Sequence, residues 1–207
     1  MKGLLIKDLY NLRKALSMYC AIVVILMVYC VLTKKSVFLP MVPVLIFSTM
    51  ITGTFTKDNN IKWDKLAVTM PLTRSRIVCS RYILFSIIMV LSIVVGIGAA
   101  AISWLNADVK IVSEIELLLL STEIAMVSGG VSMLLLFIAR SIIDKVELVT
   151  VISYIIGTAV TFGLHRLLDL FIDSKIVMFS VGVIVGIVFV IVSCKISAYY
   201  YNKKELE

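Results

Sequence analysis

The sequence predicts an all-α integral membrane protein with six spanning helices and both termini in the cytoplasm, and three observations predict it. Of 207 residues, 61% are hydrophobic and 16% charged, with a mean hydropathy of +1.09; soluble globular chains hold about 45–50% apolar and about 25% charged residues. The apolar residues gather into six runs, each near the roughly 20 residues that cross a hydrocarbon core. The Lys and Arg residues gather between those runs and mostly on one side of them, as cytoplasmic loops facing anionic lipid require. The net charge of +7 therefore points to a membrane surface, and nucleic acid is not an expected partner.

Residues 1–14, MKGLLIKDLYNLRK, open the chain. Leu5, Leu9, Leu12 and Leu16 share one helical face, and Lys7, Asn11 and Lys14 the opposite one. Such a helix suits the cytoplasmic headgroup boundary; the plainer reading is a basic flank that orients the first span. The spans are expected at residues 15–32, 37–55, 82–105, 117–138, 146–164 and 176–194, within a single transmembrane domain covering residues 1–207. The first run ends in Thr33-Lys34-Lys35 without a small-x-small cleavage site, so it reads as a retained span. Pro40 and Pro43 fall in the first turns of the second, where a missing donor matters least. With both ends inside, fifteen Lys and Arg lie on the inner side and five on the outer, in keeping with the positive-inside rule.

Between the second and third spans lies the longest polar interruption, residues 55–82. Trp63, Leu66, Ala67 and Met70 recur at i, i+3, i+4 and i+7, one face of a short helix. Lys62, Lys65 and Thr69 fall on its other side, and Pro71 stops it. Thr73 can cap a new helix that carries Arg74, Arg76 and Arg81 straight into the third span. The apolar face must be buried against the membrane surface or another protein. Trp63 suits an interfacial aromatic belt or an aromatic anchor in a partner's groove.

Further along, Leu164, Leu167, Leu168, Phe171 and Ile172 share a face and predict a short amphipathic helix on the outer surface before the last span. Gly182 and Gly186 form a GxxxG, which lets helices approach closely, within one chain or between two. Cys20, Cys30, Cys79 and Cys194 have no metal-ligand spacing and read as small apolar residues.

The chain offers little for catalysis. It contains no G-x-x-x-x-G-K-[ST], HExxH or GxSxG, and it is not expected to be an enzyme or to hold a metal or cofactor of its own. Glu123 lies about 10 Å deeper in the fourth span than Glu116, at 1.5 Å per residue. It is either a cation-attracting point on a translocation path or a group hydrogen-bonded to Ser121, Thr122 or Ser128.

From Trp63 through Pro71-Leu72-Thr73-Arg74, Val78 and Ser80-Arg81-Tyr82, the loop resembles the first cytoplasmic loop of small ABC-2-type transporter permeases. The family shows an acidic pair before the Trp, where Lys57-Asp58-Asn59-Asn60 offers one acid. Within the family, the chain is most similar to short permeases paired with a separate ATPase, such as the phenol-soluble-modulin exporters. The resemblance implies that residues 59–70 form a coupling helix, with Trp63, Leu66, Ala67 and Met70 docking on an ABC ATPase subunit that binds ATP and Mg. Arg74, Arg76 and Arg81 would anchor the loop to lipid headgroups, and Glu123 would line the path. A second permease copy or paralogue would complete the assembly in a bacterial plasma membrane, exporting an amphipathic or antimicrobial-type peptide. Two other classes remain open: a non-transporting sensor or immunity partner, and an intramembrane enzyme using Glu123 or His165.

Overall fold

A computed structural model of the protein describes residues 2–33, 39–60, 73–106, 111–138, 146–172 and 174–203, and those residues form seven helices and no strand. The helices are α1 (Lys2–Thr33), α2 (Met41–Thr49), α3 (Thr52–Asn60), α4 (Arg74–Asn106), α5 (Ile111–Ile138), α6 (Val146–Leu168) and α7 (Lys175–Lys203). By length and composition, α4, α5, α6 and α7 can each cross a membrane, and α1 makes a fifth candidate if its two bent halves count as one span. The chain is thus a multi-pass membrane protein.

The expected interface helix and first span are continuous in α1, which bends by 50° between Ile6–Arg13 and Ala15–Tyr29. The leucine face read from the sequence is split in its first half. Leu4, Asp8 and Leu12 are buried, at i, i+4 and i+8, while Leu9 and Leu16 are exposed.

The second expected span, 37–55, is divided between α2 and α3 at Met50-Ile51. The cause is local. Ser48, Thr49, Thr52 and Thr54 donate their hydroxyls to the carbonyls of Leu45, Ile46, Thr49 and Ile51, at 2.7–2.8 Å, which weakens and bends a helix. The backbone tightens too: the N–H groups of Met50, Gly53 and Thr54 reach the carbonyls three residues back, a 3₁₀ pattern. Pro40 immediately precedes α2 and Pro43 is its third residue, as expected.

The outer amphipathic helix is also different. Within the described residues, α6 runs on to Leu168 and ends in a turn, with the N–H of Ile172 bonded to Leu168 O at 2.9 Å. Nothing between Gly163 and Leu168 breaks the 3.6-residue repeat, so the span and its expected appendage are one helix. Leu167, Leu170 and Phe171 project from this end.

Helix α5 is the centre of the bundle. It packs most extensively on α7 and α6, and also touches α2, α4 and α3. Lipid gives apolar helices no hydrophobic reason to associate, so close approach has to come from small residues. Gly129 lies under the ring of Phe85 from α4, and Gly130 under Phe189 from α7. Gly157 of α6 sits on the Ser128 backbone, and Gly186 of α7 on Met126. Gly182 of α7 faces Glu123, so both glycines of the GxxxG are used within the chain. Cys79 and Cys194 bring their sulfurs to 4.0 Å across α4 and α7.

A Cβ on Gly157 would lie 2.8 Å from Ser128 Cα, whereas one on Gly53 would meet nothing within 4 Å. Gly157→Ala is expected to destabilise the detergent-solubilised protein by about 1–3 kcal/mol through overpacking. Gly53→Ala should be neutral or stabilising by up to about 1 kcal/mol. Thermal unfolding of the two variants side by side checks this, and equal melting temperatures would contradict the α5–α6 packing.

Candidate functional site

Helix α3 ends at Asn60 and α4 begins at Arg74, so these helices are the two roots of the polar loop. Trp63, Leu66, Ala67 and Met70 lie outside the described residues. What the structure does place is the base from which they hang.

Arg74 opens α4, with the Arg76 N–H bonded to Thr73 O at 2.9 Å, so the expected start of this helix is found. Arg81 then comes two turns in, on the face that meets α1 and α3. Its guanidinium donates through Nη2 to Asp58 Oδ2 and through Nη1 to Thr54 Oγ1. Its Nε lies 3.4 Å from Asp8 Oδ2, and its Cζ sits 4.6 Å above the Phe55 ring. Lys7 Nζ adds a bond to Asp58 Oδ1 at 2.9 Å, and Lys57 reaches from α3 to the Asn11 carbonyl. Asp8, Asp58 and Arg81 are all but completely buried.

Two cations and two carboxylates therefore neutralise one another where α1, α3 and α4 meet. A buried charge is tolerated only when paired and hydrogen-bonded. Asp58 is the better satisfied acid, since both of its oxygens accept charge-assisted bonds. Asp8 is less so: burial pushes its carboxyl above the usual carboxylate range, outweighing the pull of Arg81 and Lys7 in the other direction. The single acid of the loop thus finds a companion on α1, 50 residues earlier in sequence.

Anchoring to headgroups is expected of three arginines, and the structure separates them. Arg81 spends its donors inside the protein. Arg76 is exposed. Arg74 is half-buried and donates to Asn202 O at 3.3 Å, while Asn202 Nδ2 donates to Ser75 Oγ at 2.8 Å. The start of α4 is so tied to the end of α7.

Behind the clasp stands an aromatic cluster. Phe137 of α5 meets Phe55 edge-on at 5.2 Å and Tyr201 of α7 at 5.7 Å, and stacks near Tyr82 at 6.4 Å. The Tyr82 hydroxyl pairs with Ser193 and Ser197 at 2.7 and 2.9 Å. Helices α3, α4, α5 and α7 are thereby joined at the base of the loop.

Glu123 occupies a second polar centre. It is fully buried, and its Oε2 lies 2.7 Å from Nε2 of His165 on α6. The hydroxyls expected to partner it turn back on their own helix instead: Ser121 and Thr122 to Leu118 O, and Ser128 to Ile124 O. A hydroxyl on a helix has a carbonyl within reach at i−4 and needs no other acceptor. The pairing joins the only histidine of the chain to a carboxylate 42 positions away. No group of three or more His, Cys, Asp or Glu able to hold a metal occurs among the described residues.

The family model described as ABC-2 family transporter protein matches residues 3–202. The chain belongs to the ABC-2 transporter family. An ABC-2 protein is the membrane component of an ABC transporter, not its ATPase, and associates with ABC ATPase subunits. The match runs through both polar centres of this ABC-2 chain. No curated protein and no solved structure matches it.

Removing Arg81 leaves two buried carboxylates with one cation. Arg81→Ala is expected to cost roughly 3–5 kcal/mol, and Arg76→Ala less than about 0.5 kcal/mol. Thermal unfolding in detergent compares them, and similar losses would mean that the clasp is not formed.

Proposed function

We propose that this permease passes movement of an ABC ATPase subunit into the membrane through residues 59–70, acting as a coupling helix. The single observation that carries this reading is the Arg81–Asp58 clasp at the loop's two roots. A lever works only if its base is stiff, and here the base is a buried, charge-paired joint attached to α1 as well. The clasp lies two turns into α4, a continuous helix of 33 residues, about 50 Å long at 1.5 Å per residue. A push on the loop would therefore reach the far side of the membrane as a rigid-body tilt.

On this reading the apolar face of Trp63, Leu66, Ala67 and Met70 seats in the ATPase, which binds ATP and Mg. Arg74 and Arg76 face headgroups. Six spans with both ends in the cytoplasm form half of an assembly, completed by a second copy or a paralogue. The cargo is an amphipathic or antimicrobial-type peptide, exported from a bacterial cell; this part rests on the resemblance of the loop. Glu123 would meet that cargo only once α6 had moved off α5, since its carboxylate is enclosed in the same chain.

Two classes of variant separate docking from transmission. Trp63→Ala and Met70→Asp should lower co-purification of the ATPase by about tenfold or more, as loss of a hot-spot anchor worth about 2 kcal/mol does, with the spans still folded. Asp58→Asn should leave co-purification intact while reducing ATP-driven export. Unchanged co-purification in the first pair would remove the docking reading. Absence of any ATPase from the purified assembly would favour a non-transporting sensor or immunity partner.

A further inference from the structure

The Glu123–His165 pair has a chemistry that coupling to an ATPase does not use. Its surroundings are closed. Gly182 of α7 faces the carboxylate so closely that a Cβ there would land on it. The Phe179 ring covers the imidazole, with centroids 4.8 Å apart. Glu123 Oε1 is buried without a hydrogen-bond partner.

The charged groups of the packed helices lie elsewhere. Helix α2 has none, and the three arginines of α4 belong to the loop end. Lys57 and Asp58 of α3 are engaged with α1 and α4. On α5, Glu114 and Glu116 are about 14 and 10 Å away along the axis. On α6, Glu147 is near the opposite end and Arg166 is exposed, as is Asp169 in the turn beyond. On α7, Lys175 is exposed two turns before Gly182, and Lys195 and Lys203 lie toward the far end. Among the described residues, His165 is the one ion-pair partner of Glu123.

A pair so enclosed has one neutral composition. With two protons it buries a positive charge, and with none a negative charge, and either is heavily disfavoured away from water. With one proton it is neutral, as carboxylate and imidazolium or as carboxylic acid and imidazole. The 2.7 Å contact survives in both forms, because either group can donate to the other.

We propose that Glu123 and His165 form a proton-binding site that holds one proton between α5 and α6 and exchanges it only when α6 lifts from α5 and α7. The site ties proton release to a helix movement. It depends neither on the identity of the cargo nor on how the ATPase docks.

His165 is the only histidine, so histidine-selective ¹⁵N labelling gives one imidazole to follow in detergent micelles. In the wild-type chain the proton at its Nε2 should exchange with water at least tenfold more slowly than in Glu123→Gln. A wild-type proton at Nε2 that exchanges as fast as the variant's, or as fast as an exposed ring's, overturns the proposal. If Glu123→Gln does not fold, the wild-type exchange rate set against that of free imidazole decides alone. Gly182→Ala, which displaces the carboxylate, is then the second perturbation and should accelerate the exchange.

Discussion

Everything at the loop end of this molecule follows from the need to pair one buried guanidinium. Arg81 meets Asp58 of α3, Asp8 of α1, a threonine hydroxyl and an aromatic face. Taking these ions out of water is costly, and only good geometry with further hydrogen bonds returns the cost. That demand fixes the register of three helices at once, because each supplies a group that no other residue nearby replaces. It is a specification device more than a source of net stability. Its position gives it meaning, since Asp58 and Arg81 flank a loop whose two ends must leave the bundle together.

The remainder of the bundle is held by contact and by isolated polar ties. With lipid as apolar as the helices, small residues let backbones approach until dispersion suffices. Hence Gly129, Gly130, Gly157, Gly182 and Gly186 all face a neighbouring helix. Between them, single hydrogen bonds join pairs of helices: Tyr82 to Ser193 and Ser197, Ser193 to Gly130 O, and Tyr154 to Ser48 and to Leu45 O. Each tie is modest, of the order of 1 kcal/mol. Their value lies in selecting one rotation of each helix over its neighbours.

Much of this was legible in the sequence. Length and apolarity gave α4 to α7, and Thr73 marked the start of α4. The break between α2 and α3 was legible too, in Phe47-Ser48-Thr49-Met50-Ile51-Thr52-Gly53-Thr54, had the hydroxyls been weighed as competitors for backbone carbonyls. Hydropathy counts a threonine as nearly neutral and passes over this. Pairing across helices was not legible. Arg81 carried the signature of a headgroup anchor, and only the packing of α1 against α4 turned it inward. Nothing in the local sequence joins Glu123 to His165, although the deep acid had only neutral hydroxyls as expected partners and the single histidine had none. A buried ionisable group implies a counterpart, and matching such leftovers is the one route by which the pair was within reach.

The two polar centres are complementary in their electrostatics. The clasp balances two cations against two anions, whereas the Glu123–His165 pair reaches neutrality only by keeping a proton. Both rest on α5, where Phe137 backs the clasp and Glu123 lies 14 residues earlier, about 21 Å along the axis. A continuous helix of that length transmits rotation and tilt better than compression, because its backbone ladder resists shortening. Movement of the loop roots would thus reach Glu123 as a change in how α5 meets α6 and α7. Gly157 and Gly182 are the places where that contact is tightest, and with no side chain to spare they admit little sliding before contact is lost. The same close packing that makes the bundle stable in lipid therefore makes the α5–α6–α7 junction either seated or open, with few states between.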